Sequence, residues 1–317
     1  MYNEKTVAVV VPAYNEEKLI DRVVTTMPEF VDKIVIVDDS SKDQTVDKVH
    51  LLSNVYPERL ILIEHAKNRG VGAAIATGYK WCRDNNMDVT VVMAGDAQMD
   101  PEDLPALLNP VVMDETDYAK GNRLISGEAW RKIPRLRYLG NASLSLLTKI
   151  ASGYWHIADS QTGYTAANLK VLKTIDLDHI YNRYGMPNDL LVKLNIYNFR
   201  VRDVEIKPIY GIGEKSGIRP IQIIPRLSWL IFKLFLYRMV QKYVIRDFHP
   251  LIFFYVLSGF ILGIALPILS LRMIYYWIST GQIPPINALA VMVLVITGLQ
   301  FLLFAMWFDM DYNRDLR

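Results

Sequence analysis

Short apolar runs recur along the first third of the chain, at Val7 to Val11, Ile34 to Val37, Leu60 to Ile63 and Val89 to Met93. Stretches with helical spacing separate them, starting from Glu16, Asp43, Gly72 and Glu102. Runs this short, rich in β-branched residues and scarcely alternating, predict strands buried on both faces. Joined by crossover helices, they make a mostly parallel α/β sheet. Such sheets place ligands at the carboxyl ends of their strands. Polar clusters fall at those ends: Pro12-Ala13-Tyr14-Asn15-Glu16, Asp38-Asp39-Ser40-Ser41, and the group around Asp96. Residues 1–220 are expected to form one domain of ordinary size.

Past residue 220 the pattern changes solvent. Residues 251–271 and 286–308 contain no charged side chain. Each run can cross a hydrocarbon core of about 30 Å as a helix, so residues 248–317 are expected to form a transmembrane hairpin with a short tail. Gly259, Gly263 and Pro267 do not disqualify the first span, because membrane helices tolerate them. Arg219, Arg226, Lys233, Arg238, Lys242 and Arg246 precede it with no acidic residue among them, interleaved with Trp229, Phe232, Phe235, Tyr237 and Tyr243. Residues 221–247 are therefore expected to lie as amphipathic helices on an anionic leaflet. The loop from Arg272 to Pro285 has one basic residue, which predicts that it lies outside and that both termini and the large domain are cytoplasmic. No signal peptide is evident, and the single Cys82 agrees with a reducing compartment. A net charge of +2 gives no global field for nucleic acid.

The run Val91 to Glu102, VVMAGDAQMDPE, carries the clearest chemistry. A buried strand ends in Gly95, Asp96, Gln98 and Asp100, and side-chain oxygens on such a turn suit a hard divalent cation completed by water and a phosphate-bearing ligand. Read alone, the segment is equally a strand leading to a capped helix, with Asp100 before Pro101. Asp38-Asp39-Ser40-Ser41 likewise allows a helix-capping loop, and Asn68, Gly70 and Gly72 allow either close backbone approach to a ligand or a plain helix entry. Other nucleotide and hydrolase signatures are absent. There is no G-x-G-x-x-G at the first turn, no P-loop, no nucleophile elbow, no H-E-x-x-H and no zinc-spaced Cys pair. His65, His156, His179 and His249 are scattered and read as structural.

The segments VVVPAYNEE (9–17), VDDSSKDQT (37–45), NRGVGAA (68–74), GDAQMDP (95–101), GNR (121–123), DSQTGY (159–164) and NDLL (188–191) occur in an order that resembles the family 2 glycosyltransferases of GT-A fold. Within that family the chain is similar to the polyisoprenyl-phosphate glycosyltransferases, the dolichyl-phosphate mannose synthase-like branch, and the resemblance covers essentially the whole chain. It implies an inverting transfer of sugar from a UDP- or GDP-sugar to a dolichyl or undecaprenyl phosphate, with Mg²⁺ or Mn²⁺. By the same resemblance Pro12, Tyr14, Glu16, Val37, Asp39, Asn68, Gly95 and Asp189 line the nucleotide-sugar pocket, with Asp38 a weaker partner for Asp39. Asp96 and Gln98 hold the metal, since Ala94 stands where the family's motif has its first acid; Asp100 is read as a cap. Arg123 and Arg137 match arginines that bind lipid phosphate, with Arg135 a close competitor. Asp159 and Gln161 occupy a position that in other branches of the family supplies the base or lines the acceptor pocket, Asp159 here being suited to position an Arg or sugar hydroxyls instead of abstracting a proton. Lys215 and Ser216 sit on a glycine-rich lid, Tyr210 to Gly217.

A lipid monoester phosphate has its second pKa near about 6, so it attacks the sugar already ionised and no general base is required. The site needs instead a cationic clamp, and Arg suits phosphate by bidentate bonding. The alternatives are a transferase acting on another lipid or lipid-linked glycan, a polysaccharide synthase, and an inactive membrane scaffold. Two spans are too few for a synthase channel and Q-x-x-R-W is absent, while Asp96, Gln98, Arg123 and Asp159 argue against an inactive scaffold. The partners implied are the nucleotide sugar, the polyisoprenyl phosphate and membrane lipid, with a homo-oligomer allowed and the sugar left open.

Overall fold

The computed structural model describes residues 1–124, 135–207, 209 and 220–317, with side chains for all of these except 135–142 and 220–224. The chain divides into two compact units, Met1–Leu236 with Leu316–Arg317, and Tyr237–Asp315.

The first unit is built on a seven-stranded sheet: β1 Val7–Ala13, β2 Lys33–Asp38, β3 Leu60–Glu64, β4 Val89–Val92, β5 Tyr118–Asn122, β6 Thr165–Asn168 and β7 Val201–Glu205. The spatial order is β3-β2-β1-β4-β6-β5-β7. β1 to β4 pair in parallel, as the apolar runs predict, and β5 pairs in parallel with β7. β6 is the exception: it runs antiparallel to both β4 and β5, which makes the sheet mixed. Because β6 is reversed against each neighbour, β5 and β7 point the same way as β4. The carboxyl ends of β1, β2, β4, β5 and β7 and the amino end of β6 therefore share one edge.

Side chains alternate across the strands, so each strand feeds two cores. Val7, Val9, Val11, Ile34, Ile36, Val89 and Val91 face α1 Ile20–Thr25, α2 Thr45–Val55 and α4 Leu104–Val112. Ala8, Val10, Val35, Val37 and Val92 face α3 Val71–Asp84, α6 Leu169–Thr174 and α7 Met186–Ile196. Full burial of each such Val or Ile is worth about 1.5–3 kcal/mol, which is why the runs are almost wholly apolar, Thr90 in β4 being the exception. Two further helices begin here, α5 Arg135–Ser152 and α8 Pro220–Val240, the last turn of α8 belonging to the second unit. Leu227, Ile231 and Leu234 of α8 pack on Leu144 and Ala151 of α5 and on Val192 and Ile196 of α7.

In the second unit a π-helical turn, Gln241–Arg246, leads into α9 Leu251–Thr280, whose Ile261–Ala265 stretch is also π-helical, and then α10 Pro285–Tyr312. Both helices are long and apolar enough to cross a membrane, and only 17% and 11% of their most apolar windows is buried within the molecule, so neither is a core helix. The expected loop of 272–285 is shorter than that: α9 continues through Arg272 until Gly281, whose φ of +71° closes the helix with an N–H bond to Trp277 O. Nothing between Leu271 and Gly281 breaks a helix, so the chain stays helical until glycine accepts the left-handed conformation.

The basic belt also differs from its expectation. Arg238 and Lys242, one turn apart, do not face a leaflet but are buried against α10, where they meet Asp309 and Asn313, also one turn apart. Arg238 forms a two-pronged pair with Asp309 at 2.7 and 2.9 Å, and Tyr243 OH donates to the same carboxylate. Arg226, Lys233 and Arg246 remain exposed.

Candidate active site

The turns after β1 and β2 are stitched together. Asn15, at φ +58°, donates its N–H to Ser41 Oγ (2.9 Å) and accepts from Lys42 N on its side-chain oxygen (2.8 Å). Glu16 N donates to Thr45 Oγ1 (2.8 Å) and Glu17 N to Asp43 Oδ2 (3.1 Å). These bonds occupy Glu16 and Glu17, so the helix expected from Glu16 starts only at Ile20. Tyr14 is left exposed at the tip, 42% accessible.

The Asp38–Ser41 segment closes on itself as a turn, tied also to the β1 turn, and does not cap α2. Asp38 accepts from Ser41 N and Ser41 Oγ, with Ser40 at φ +64°, whereas Asp43 bonds the N–H and hydroxyl of Thr45 at the start of that helix. Asp39, expected to accept from a base or ribose, is 3% exposed and already bonded to His65 Nδ1 (2.7 Å), Arg69 N (2.9 Å) and Gly70 N (2.7 Å). A carboxylate has about four acceptor positions, so three are taken in fixing the 65–70 turn. Asn68 serves the same turn through Asp39 O (3.3 Å). Val37 offers no side chain to a ligand, because strand alternation turns it fully into the core.

Gly70 and Gly72 form a close contact with another segment of the protein. Gly70 has φ +98°, and a Cβ on Gly72 would lie 2.1 Å from Tyr181 O. Asn182 O accepts from Gly72 N at 2.9 Å. Asp189, expected at the sugar, is buried and accepts from Tyr181 N (2.9 Å) and Lys193 Nζ (2.8 Å). It anchors the 181–182 segment from inside α7.

After β4, Gly95 N donates to Pro12 O (3.2 Å), laying this turn against the end of β1. Ala97 has φ +53°, a conformation costing an alanine roughly 1–2 kcal/mol. It folds the chain so that Gln98 N reaches Asp96 Oδ1 at 3.1 Å. Backbone strain of this kind concentrates at ligand-holding turns. Asp100 caps the next turn through Glu102 N (3.0 Å), as expected. The Glu16 carboxyl is pushed up to about 7 by burial, then by the charges of Asp96 and Asp43. Among the described residues no three His, Cys, Asp or Glu side chains group to hold a metal by themselves. Asp96 and Gln98 still fit a dication that takes its remaining oxygens from a diphosphate and water, because they present hard donors beside concentrated negative charge.

Further along the same edge, Arg123 leaves β5 and pairs with Asp159, Nε to Oδ2 at 2.8 Å and Nη2 to Oδ1 at 3.2 Å. Asp159 is fully buried and the Arg123 side chain is 20% exposed. Burial alone would raise the Asp159 carboxyl, but Arg123, by charge and hydrogen bonding, and then Lys120 hold it below the ordinary carboxylate range. Gln161 bonds Ser160 Oγ and Asn188 Oδ1. Tyr164 OH donates to Asp100 O (3.0 Å), and Gly163 lies against Met99, which ties this half of the edge to the Asp96 turn. The side chains of Arg135 and Arg137, and Lys215, Ser216 and the Tyr210–Gly217 lid, lie outside the described residues. His65 bonds Asp39, His156 Val201 O and His179 Asp176, and His249 Nδ1 accepts from Leu251 N.

Two residues of this edge escaped the sequence reading, Lys120 and Asp203. Their signal was a charge inside each strand pattern, YAKGN and VRDVE, on the face that should be apolar.

A mixed sheet with its polar turns gathered on one edge in this arrangement is the GT-A type of fold. The family described as Glycosyl transferase family 2 matches residues 8–176, more than half of the 317. The chain therefore belongs to the family 2 glycosyltransferases. It is 31% identical over 219 residues, 65% of its own length and 87% of the relative's, to a UDP-N-acetylglucosamine–dolichyl-phosphate N-acetylglucosaminyltransferase of Methanococcus voltae. It is also 31% identical to an undecaprenyl-phosphate mannosyltransferase of Micrococcus luteus, with 63% and 82% of the two chains covered. Among solved structures it resembles a glucosyl-3-phosphoglycerate synthase of Mycobacterium tuberculosis crystallised with Mn²⁺ and UDP, at TM-score 0.52 and 18% identity over 74% and 80% of the chains, a likeness of fold.

Proposed function

We propose that this chain transfers a sugar from a nucleotide-diphosphate sugar to a polyisoprenyl phosphate at a membrane surface. The observation that carries the reading is the Arg123–Asp159 pair. A base would need a carboxylate free to take a proton, whereas Asp159 is fully buried, held ionised and committed to Arg123. An acceptor that arrives already ionised removes the need for a base, and a lipid phosphate does so. Arg123 then serves as the clamp that brings the phosphate oxygen to the sugar C1. Tyr14 offers the base a flat surface, and Glu16 accepts from the nucleoside. Asp96 and Gln98 would hold the dication, Mg²⁺ or Mn²⁺, which when bound offsets the charge of the departing diphosphate.

The surface of α8 supports the membrane site. Trp229 and Phe232 are exposed and stacked at 5.6 Å between centroids, and Lys233 lies 5.5 Å from the Trp229 ring. Aromatic rings with a cation beside them suit the headgroup region. The charge distribution of the flanks favours a cytoplasmic catalytic unit and cytoplasmic termini.

The test is transfer of radiolabelled sugar from UDP- and GDP-sugars to dolichyl and undecaprenyl phosphate, with Mg²⁺ or Mn²⁺. UDP-N-acetylglucosamine comes first because the Methanococcus voltae relative is named for it. The expected result is an organic-phase product that disappears without metal, without lipid phosphate or with Asp96→Ala. Metal-dependent nucleotide binding without product across the panel would overturn the polyisoprenyl-phosphate acceptor.

A further inference from the structure

The sheet beneath Arg123 and Asp159 turns from apolar to charged within one residue pair. On one face of the sheet, Tyr118 of β5, Val201 of β7 and Ala167 of β6 belong to the hydrophobic core. Two residues toward the site, on the same face, stand Lys120, Asp203 and Thr165, with Lys120 in register with both of the others. Lys120 is 1% exposed, a position where a lone ammonium is prohibitively costly unless it is partnered.

Its partners show what it holds. Lys120 Nζ donates to Thr162 O. Asp203 Oδ2 accepts from Ala158 N (2.7 Å) and from Asn122 Nδ2 (2.5 Å). Asp203 Oδ1 is buried and bonds to nothing among the described residues. One strand residue thus grips the start of the Ala158–Thr162 segment and the other grips its end, with Asp159 between them. The charged groups facing Lys120 are Asp159 from that segment, Asp203 from β7 and Arg123 from the end of β5.

We propose that Lys120 and Asp203 are positioning residues: together they clamp the Ala158–Thr162 segment so that Asp159 presents Arg123 to the acceptor phosphate. Neither touches substrate. The kinetic part of this inference rests on the lipid-phosphate reading above; the clamp itself does not.

The pair also confers a pH signature. Burial lowers the Lys120 ammonium to about 8, against the raising influence of Asp159 and then Asp203, with Arg123 lowering it further. Below that value the clamp is a cation; above it Lys120 loses its proton, and Asp159 and Asp203 lose their shared counter-charge. The acceptor KM should therefore rise as pH passes upward through about 8. Removing the Asp203 charge takes away one influence that keeps Lys120 protonated, so the limb should move to lower pH.

The experiment uses full-length protein in lipid nanodiscs, comparing wild type with Lys120→Met and with the isosteric Asp203→Asn. Hydrogen exchange is expected to show faster exchange of the 158–162 peptide in both variants while β1 and β4 peptides keep their protection. Kinetics are expected to show the acceptor KM raised about tenfold in each, with the donor KM changed less than about twofold. The alkaline limb should vanish in Lys120→Met and shift downward in Asp203→Asn. Unchanged exchange at 158–162, equal rises in both KM values, or an unmoved alkaline limb would each overturn the proposal. If the wild type makes no lipid-linked product, the acceptor reading fails by itself, and exchange at 158–162 still decides for or against the clamp.

Discussion

Replacing Asp159 with Asn separates an anchor from a base. The Asp159 carboxylate accepts from Arg123 Nε at 2.8 Å, Arg123 Nη2 at 3.2 Å, Arg123 N at 3.3 Å and Gln161 N at 3.2 Å. Asn keeps the shape and one acceptor oxygen but no charge, so the charge-assisted bonds to the guanidinium weaken. Each is worth about 1.5–3 kcal/mol net, and breaking a fully buried pair costs about 3–5 kcal/mol. Arg123 is 20% exposed, so water repays part of the loss, and about 2–3 kcal/mol is the working figure. That corresponds to roughly 30- to 150-fold in kcat/KM for the lipid phosphate. Because Asp159 acts through Arg123, Arg123→Gln should cost about the same, and the double variant little more, giving a coupling energy of about 2 kcal/mol. The assay is initial-rate transfer over a range of lipid phosphate in nanodiscs, with thermal unfolding as the control for folding. Losses that multiply in the double variant would refute the reasoning. So would a fall beyond roughly a thousandfold confined to kcat in Asp159→Asn while Arg123→Gln stays active, because that is the behaviour of a proton acceptor.

Restoring the acid absent from the metal turn, Ala94→Asp, should tighten Mn²⁺ binding in the absence of donor by about tenfold, measured by the loss of free Mn²⁺ signal in electron paramagnetic resonance; unchanged affinity would remove Asp96 and Gln98 from the ligand set. In the second unit, Arg238→Met alone should lower stability by about 3–5 kcal/mol because it strands the Asp309 carboxylate, whereas Arg238→Met with Asp309→Leu should recover most of it; thermal unfolding in detergent checks both, and equal damage from the pair and the single change would count against a simple ion-pair role. Gly72→Ala must push a Cβ into Tyr181 O, 2.1 Å away, so about 2 kcal/mol and a Tm lower by about 4–8 °C are expected, together with weaker nucleotide binding by calorimetry.

Local patterning carried much of this molecule. The four apolar runs became β1 to β4, buried on both faces in β1, β2 and β4 and only half-buried in the edge strand β3, and both membrane-length helices followed from uncharged runs. The turns of the site were legible for a related reason: Asp, Asn, Ser and Gly cluster where a chain must change direction and meet a polar ligand. What those turns do internally was not legible. Asp39 accepts from Arg69 N and Gly70 N, and Asp189 Oδ2 accepts from Tyr181 N and Lys193 Nζ, so both acids also fix the backbone around the site. A carboxylate in a motif looks the same in sequence whether its hydrogen bonds go to a ligand or to the backbone.

The sequence by itself determined the alternation of strand and helix, the two apolar spans and the family. It could do so because those properties depend on neighbours within a few positions. Only the tertiary structure decided the reversal of β6, which brings the start of that strand beside the ends of β4 and β5. It also decided the burial of Arg238 against Asp309, which turns a belt residue into an internal ion pair. Lys120 and Asp203 belong to the same class. They are 83 positions apart in the numbering, yet strand register makes them neighbours. A charge inside a strand is only an anomaly until its surroundings are known: Lys120 donates to Thr162 O with the charges of Asp159 and Asp203 nearby, and Asp203 accepts from Ala158 N and Asn122 Nδ2.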